Sequence, residues 1–262
     1  MESSQFAPRS GSSFAHLIES TQPKLIVEVG SWHGASIIRF LLEADAKDLN
    51  TEAICVDTWL GSIEHWANRR PNGQWSFEHL LLREGEPQFI EAFRENIARY
   101  GYTSRVNVLR SPSDLAIPYL KRSGINPQLV YVDGDHSFRA VRRDVRNSLR
   151  LTSWSEYAFV AGDDWDWLGV RWALFIAMLG NNRRVFHLGK TWLLSAPGTT
   201  TAEKLKGFGW ASKSWIEMLP HLIEVSAIPS VFRRIGRRIL RSAVDPIYSR
   251  FRKKRNVRSA RP

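Results

Sequence analysis

Short β-branched runs alternate with longer stretches of helical period along most of the chain. The pattern predicts strands over 24–29, 52–57, 105–109, 128–133, 157–162, 184–188 and 191–196. Between them it predicts helices over 35–44, 87–100, 114–122, 136–151 and 170–180. Strands that alternate with helices imply a parallel sheet covered on both faces. A tight turn at Gly189-Lys190 joins the last two strands, so one of them must run antiparallel, at or near an edge. The expected architecture is α/β: a doubly wound, mostly parallel seven-stranded sheet with an antiparallel strand from a C-terminal hairpin, followed by a basic helical tail. The Ser-rich residues 1–13 are expected to be flexible, 14–228 to form one domain, and 229–262 to form the tail. Residues 198–224 are only weakly periodic, and no element is assigned to them.

Charge singles out the tail. The chain carries a net +11, and residues 229–262 hold 12 Lys+Arg against one acid, Asp245, so the body is balanced. Within the tail Val231, Phe232, Ile235, Ile239 and Ala243 share one helical face, and Arg233, Arg234, Arg237, Arg238 and Arg241 the other. A basic amphipathic helix suits an anionic membrane surface, or else docks on its own domain with a solvated outer face. A nucleic-acid binder would carry its charge over the body, so nucleic acid is not an expected partner. The longest apolar stretch, 172–179, is far short of the roughly 20 residues of a membrane span. Residues 1–13 lack the basic-then-apolar order of a signal peptide. The single cysteine, Cys55, excludes an internal disulfide, fits a reducing compartment and sits in an apolar run. These features predict a cytoplasmic protein, with the tail as a route to the inner face of a membrane.

In an open α/β sheet ligands bind beyond the carboxyl ends of the strands. The first strand there ends in Glu28, Gly30 and Gly34, an E-x-G-x-x-x-G turn. A dinucleotide site needs G-x-G-x-x-G, whose middle glycine lets backbone approach the pyrophosphate; here that position is Trp32. S-adenosylmethionine carries no phosphate and has no need of that glycine. Asp57 closes the second strand, where a carboxylate can accept from ribose hydroxyls.

On the glycine turn, Asp57, the strand end Val132-Asp133-Gly134-Asp135-His136 and the closing hairpin, the chain resembles the class I S-adenosylmethionine-dependent methyltransferases over about 24–196. The resemblance implies that Glu28, Gly30 and Gly34 hold the methionine portion of the cofactor and Asp57 its ribose. Ser113 would lie near the adenine; read from its neighbours alone, Ser113 or Ser111 is equally a helix cap.

Two acidic clusters fall at adjacent strand ends: Asp133 and Asp135 with His136, and Asp163 and Asp164 with Asp166. Adjacent carboxylates repel, and a divalent cation would relieve them; capping of the following helix is the other reading of Asp163 and Asp164. Here the sequence is similar to the cation-dependent O-methyltransferases of the catechol and caffeoyl-CoA type, and more so to bacterial enzymes of the macrocin type that methylate sugar hydroxyls. That similarity implies a magnesium-like ion on Asp133, Asp163 and Asp164. It puts His136 where the catechol type carries a lysine base, so Asp133 and His136 are the expected catalytic residues. The aromatic loop 58–66 and Trp165 and Trp167 suit a sugar or aromatic acceptor, or simply fill a lid. The arginines of 139–150 share one helix face and read as solvated surface. Two other functions stay open: a non-catalytic nucleoside-binding protein tethered to a membrane, and a nicotinamide-dependent oxidoreductase, against which Trp32 argues.

Overall fold

The computed structural model describes residues 6–67, 80, 82–152, 158–179, 183–195 and 198–225. The chain forms two compact units, 1–215 and 216–262. The first runs α1 (Ser12–Thr21), β1 (Leu25–Val29), α2 (Ala35–Asp45), β2 (Glu52–Asp57), α3 (Ile63–Ala67), α4 (Phe89–Arg99), β3 (Val106–Arg110), α5 (Ser113–Arg122) and β4 (Leu129–Val132). It continues through α6 (Phe138–Leu151), β5 (Phe159–Gly162), α7 (Leu168–Met178), β6 (Arg184–Leu188), β7 (Thr191–Ser195), α8 (Thr200–Gly207) and β8 (Ala211–Lys213). The described part of the second unit is helical, within α9 (Trp215–Val225). The basic tail predicted over 229–262 lies outside the described residues. Among the described residues no helix is long and apolar enough to cross a membrane.

Among the described residues the sheet has eight strands rather than seven, in the order β3-β2-β1-β4-β5-β7-β6-β8. The first five strands are parallel; β7 is inserted antiparallel between β5 and β6, and β8 pairs antiparallel with β6 at the edge. The β8 segment, Ala211-Ser212-Lys213, is too short and too polar to show alternation, and edge strands are commonly short and lysine-bearing.

β1 is buried on both faces, and its side chains feed two cores. Val27 and Val29 join Val56, Val130 and the α5 residues Ala116, Ile117 and Leu120 on one side. Ile26 joins Cys55, Leu129 and Tyr131 beneath Phe14, Ile37, Phe40 and Phe93 on the other. On α6 the buried stripe is Ala140, Val141, Asp144, Val145, Ser148 and Leu151, while Arg139, Arg142, Arg143, Arg146 and Arg150 are exposed.

The helix α1 starts at Ser12, at the end of the segment expected to be flexible. Phe14, Leu17 and Ile18 are fully buried, each contributing about 1.5–3 kcal/mol as an upper bound. Ser13 Oγ lies 2.9 Å from Thr191 Oγ1 on β7. Arg9 N donates to Ala35 O at 3.1 Å, which holds the chain before α1 against the start of α2.

Candidate functional site

Strand order reverses between β1 and β4, the switch point at which open α/β sheets bind ligands. Parallel pairing carries one step past the strands: Gly30 N donates to Val56 O, Asp133 N to Val29 O and Asp163 N to Val132 O, at 2.8–3.2 Å. Gly30, Asp57, Asp133 and Asp163 are thereby brought to one rim. A cavity of about 660 Å³ opens there, a usual size for a small-molecule site. Its wall is the turn 30–33, Ser36, Asp57, the segment 111–113, the segment 133–136, Asp144, Asp164 and Arg9.

The turn after β1 is built on backbone that side chains rarely adopt. Gly30 has φ +87°, and a Cβ on it would lie 2.4 Å from Asp133 O and 2.5 Å from Gly134 Cα. Gly34, with φ +86°, caps α2 and does not itself line the cavity. Trp32 also has positive φ. Its N–H donates to Asp57 Oδ2 at 2.9 Å, and Trp59 N–H donates to Oδ1 at 2.8 Å. The Trp32 ring sits 4.1 Å from Phe89 and 4.3 Å from His65, centroid to centroid, and its carbonyl accepts from Trp59 Nε1. Asp57 is thus oriented by two amides, and a carboxylate with about four lone-pair sites can still accept from a ligand hydroxyl.

Glu28 does not line the cavity. It is fully buried under α2, where Ser36 Oγ donates to it at 2.6 Å. Burial pushes its carboxyl up to about 7, against the pull of Ser36 and Ser31. Ser36, which donates to it, does line the cavity. Ser113 is the first residue of α5, lines the cavity and donates to Asp144 Oδ1 at 2.5 Å. Burial raises the Asp144 pKa, and the Ser113 and Arg143 contacts oppose the rise. Sequence reasoning missed Asp144; an acid on the apolar stripe of α6 was the available signal, since a buried charge needs partners.

The acid cluster differs in membership from the expected set. Asp133, His136 and Asp164 each place a ligand atom within 4.8 Å of the others, close enough to hold a metal ion; Asp163 is not among them. His136 precedes α6, which Ser137 caps. Its Nε2 lies 2.7 Å from Asp164 Oδ2. Asp164 has φ +59°, in the left-handed region. Asp163 pairs with Arg9 Nη1, and Arg9 Nη2 lies 3.0 Å from Asp133 Oδ2. Burial pushes Asp133 up to about 6; Arg9 opposes the rise and the Asp164 charge adds to it. Burial acts the same way on Asp164, but the hydrogen bond and charge of His136, with Lys190 and Arg9, hold its carboxyl below the ordinary range. Arg9 carried no sequence signal, since it lies in an aperiodic polar stretch.

The tryptophans divide by environment. Trp59 and Trp165 are buried, Trp165 stacked on His187 at 4.5 Å. Trp167 is 45% exposed with its ring 4.8 Å from His136, and Trp66, on α3, is exposed with its indole N–H donating to Leu60 O.

A family model described as a methyltransferase domain matches residues 27–165. An uncharacterized Sinorhizobium fredii protein, y4gI, is 28% identical over 131 residues, which is 50% of this chain and 12% of that protein's length. Among solved structures, the SAH-bound methyltransferase PaMTH1 of Podospora anserina is 15% identical, with a TM-score of 0.49 over 72% of this chain and 80% of its own. The O-methyltransferase TomG of Streptomyces achromogenes, in complex with SAM, is 18% identical, with a TM-score of 0.47 over 71% and 79%.

Proposed function

Because the chain belongs to the methyltransferase-domain family, we propose that it moves the methyl group of S-adenosylmethionine to the oxygen of a small hydroxyl compound. The observation that carries this reading is the one rim on which Gly30, Asp57, Asp133 and the His136–Asp164 pair surround a single cavity. The turn 30–36 lies along the methionine portion, with Ser36 resting on Glu28. Asp57 takes the ribose hydroxyls, and Ser113, fixed by Asp144, borders the adenine. A nicotinamide dinucleotide fits poorly, because Trp32 stands where the middle glycine of a dinucleotide turn lets backbone approach the pyrophosphate, and its amide is committed to Asp57.

In the reaction the acceptor oxygen attacks the sulfonium methyl in line. The carbon–oxygen bond forms, the carbon–sulfur bond breaks, and S-adenosylhomocysteine leaves neutral. His136 takes the acceptor's proton and Asp164 stabilises the imidazolium that results. Trp167, exposed beside His136, offers a face to a sugar or aromatic acceptor. The amphipathic pattern of 229–262 supports placement near an anionic membrane surface.

A magnesium-like ion would have Asp133, His136 and Asp164 as its ligands. Such ions prefer oxygen donors, whereas this set includes an imidazole already bonded to one carboxylate, and Arg9 holds the other. With Arg9 seated the residues do not fit that ion, and no step above uses one.

Calorimetry tests the cofactor assignment. S-adenosylhomocysteine should bind and NAD should not. Asp57→Ala should weaken binding about 10–100-fold, the loss expected for hydrogen bonds to a charged acceptor. Binding of NAD in preference, or undiminished affinity in Asp57→Ala, would overturn the reading.

A further inference from the structure

Three carboxylates stand at the ends of β4 and β5, and each has a partner supplied by the chain itself. Asp164 has His136 Nε2 at 2.7 Å and Lys190 Nζ at 4.0 Å. Asp133 and Asp163 share one guanidinium, that of Arg9. We propose that Arg9 is the built-in cation of this site: it takes the charge-compensating place of a divalent ion, keeps metal off Asp133, and lets the reaction run metal-free. The metal-exclusion half stands on geometry alone; the catalytic half rests on the methyl-transfer reading.

The delivery of Arg9 is structural rather than incidental. Its own amide is tied to Ala35 O. Three residues on, α1 begins, and Phe14, Leu17 and Ile18 are sunk in the core. Ser13 reaches Thr191 on β7, so the segment bridges the start of α2 and the far half of the sheet. The planar guanidinium presents two donors in a fixed fork, which suits two carboxylates on neighbouring strand ends. Arginine also stays charged throughout the working pH range, so its compensation does not titrate.

A divalent ion bound to Asp133 would sit about 2.0–2.6 Å from its oxygen. The guanidinium nitrogen is 3.0 Å from that carboxylate. The two cations, sharing that oxygen, would then lie within about 6 Å of each other in a partly buried site, where repulsion is weakly screened. One of them must leave, and Arg9 is the one held by the fold.

Electron paramagnetic resonance of Mn²⁺ titrated into the full chain decides between them, with S-adenosylhomocysteine affinity measured in parallel on every variant. The wild type should leave Mn²⁺ free at millimolar concentration. Arg9→Gln should bind one Mn²⁺ at least tenfold more tightly, and adding Asp133→Asn should abolish that binding. Arg9→Lys, which keeps the charge, should stay Mn²⁺-free, and wild-type methyl transfer should survive excess chelator. Wild-type binding of one Mn²⁺ that Asp133→Asn removes would overturn the proposal, even if Arg9→Gln failed to fold. So would a folded Arg9→Gln that binds none. Failure of S-adenosylhomocysteine to bind any form sinks the methyltransferase reading instead, and leaves the Mn²⁺ result to judge Arg9 separately.

Discussion

His136 Nε2 and Asp164 Oδ2 meet at 2.7 Å across the ends of two neighbouring parallel strands. Pairing of Val132 with Gly162 brings the two strand ends level. Asp164 sits in the left-handed backbone region, at φ +59°. His136 is thereby oriented by a charged neighbour, the arrangement a general base needs.

His136→Ala should lower kcat about 10²–10⁴-fold, the usual worth of a positioned base, and leave S-adenosylhomocysteine binding unchanged. Asp164→Asn should lower kcat as well, because the imidazole loses the carboxylate that lies 2.7 Å from its Nε2. Steady-state kinetics of the two variants reads both effects. A loss under tenfold in His136→Ala would remove the base role.

Gly30 and Gly101 share a left-handed backbone and differ only in what surrounds them. A Cβ on Gly30 meets the backbone of Asp133 and Gly134, whereas one on Gly101 meets nothing within 4 Å. Gly101→Ala should cost about 1–2 kcal/mol, the conformational term alone. Gly30→Ala adds an overpacking cost of about 1–3 kcal/mol and should also weaken cofactor binding, because the segment 133–134 must shift. Urea denaturation of the two variants compares them. Equal costs would show that the close approach of Gly30 to β4's end carries no energy.

Much of this was legible in the chain because parallel strands align their ends. Once β1, β2, β4 and β5 are read as consecutive strands, Gly30, Asp57, Asp133 and the pair Asp163-Asp164 must share a rim. What periodicity cannot give is which side chain turns where. In the converging trio His136 stands where Asp163 was expected, while Asp163 pairs with Arg9 and Asp164 has positive φ, and neither feature has a periodic signature. Ser113 and Asp144 meet only because α5 and α6 lie side by side. Trp59 and Trp167 are the same residue type with opposite fates, one fully buried and one 45% exposed, and only tertiary packing separates them. β8 has three residues, fewer than any pattern needs.

Glu28 supplies the remaining prediction. It sits under α2, with Ser36 Oγ and Cys55 Sγ as neighbours, and burial lifts its carboxyl from the ordinary glutamate range to about 7. Because the folded pKa is raised, the folded state holds the proton more tightly than the unfolded chain. The stability this contributes is complete below the unfolded pKa and is lost as pH rises through about 7. At about 1.4 kcal/mol per pKa unit, the loss between pH 4.5 and pH 8 is roughly 3 kcal/mol. Glutamine reproduces the neutral carboxyl in shape and cannot ionise. Glu28→Gln should therefore match the wild type near pH 4.5 and exceed it by a few kcal/mol at pH 8, with Asp133, itself raised to about 6, still present in both. Chemical denaturation at the two pH values gives the difference directly. A stability gap that is flat with pH would mean that Glu28 is already ionised in the fold.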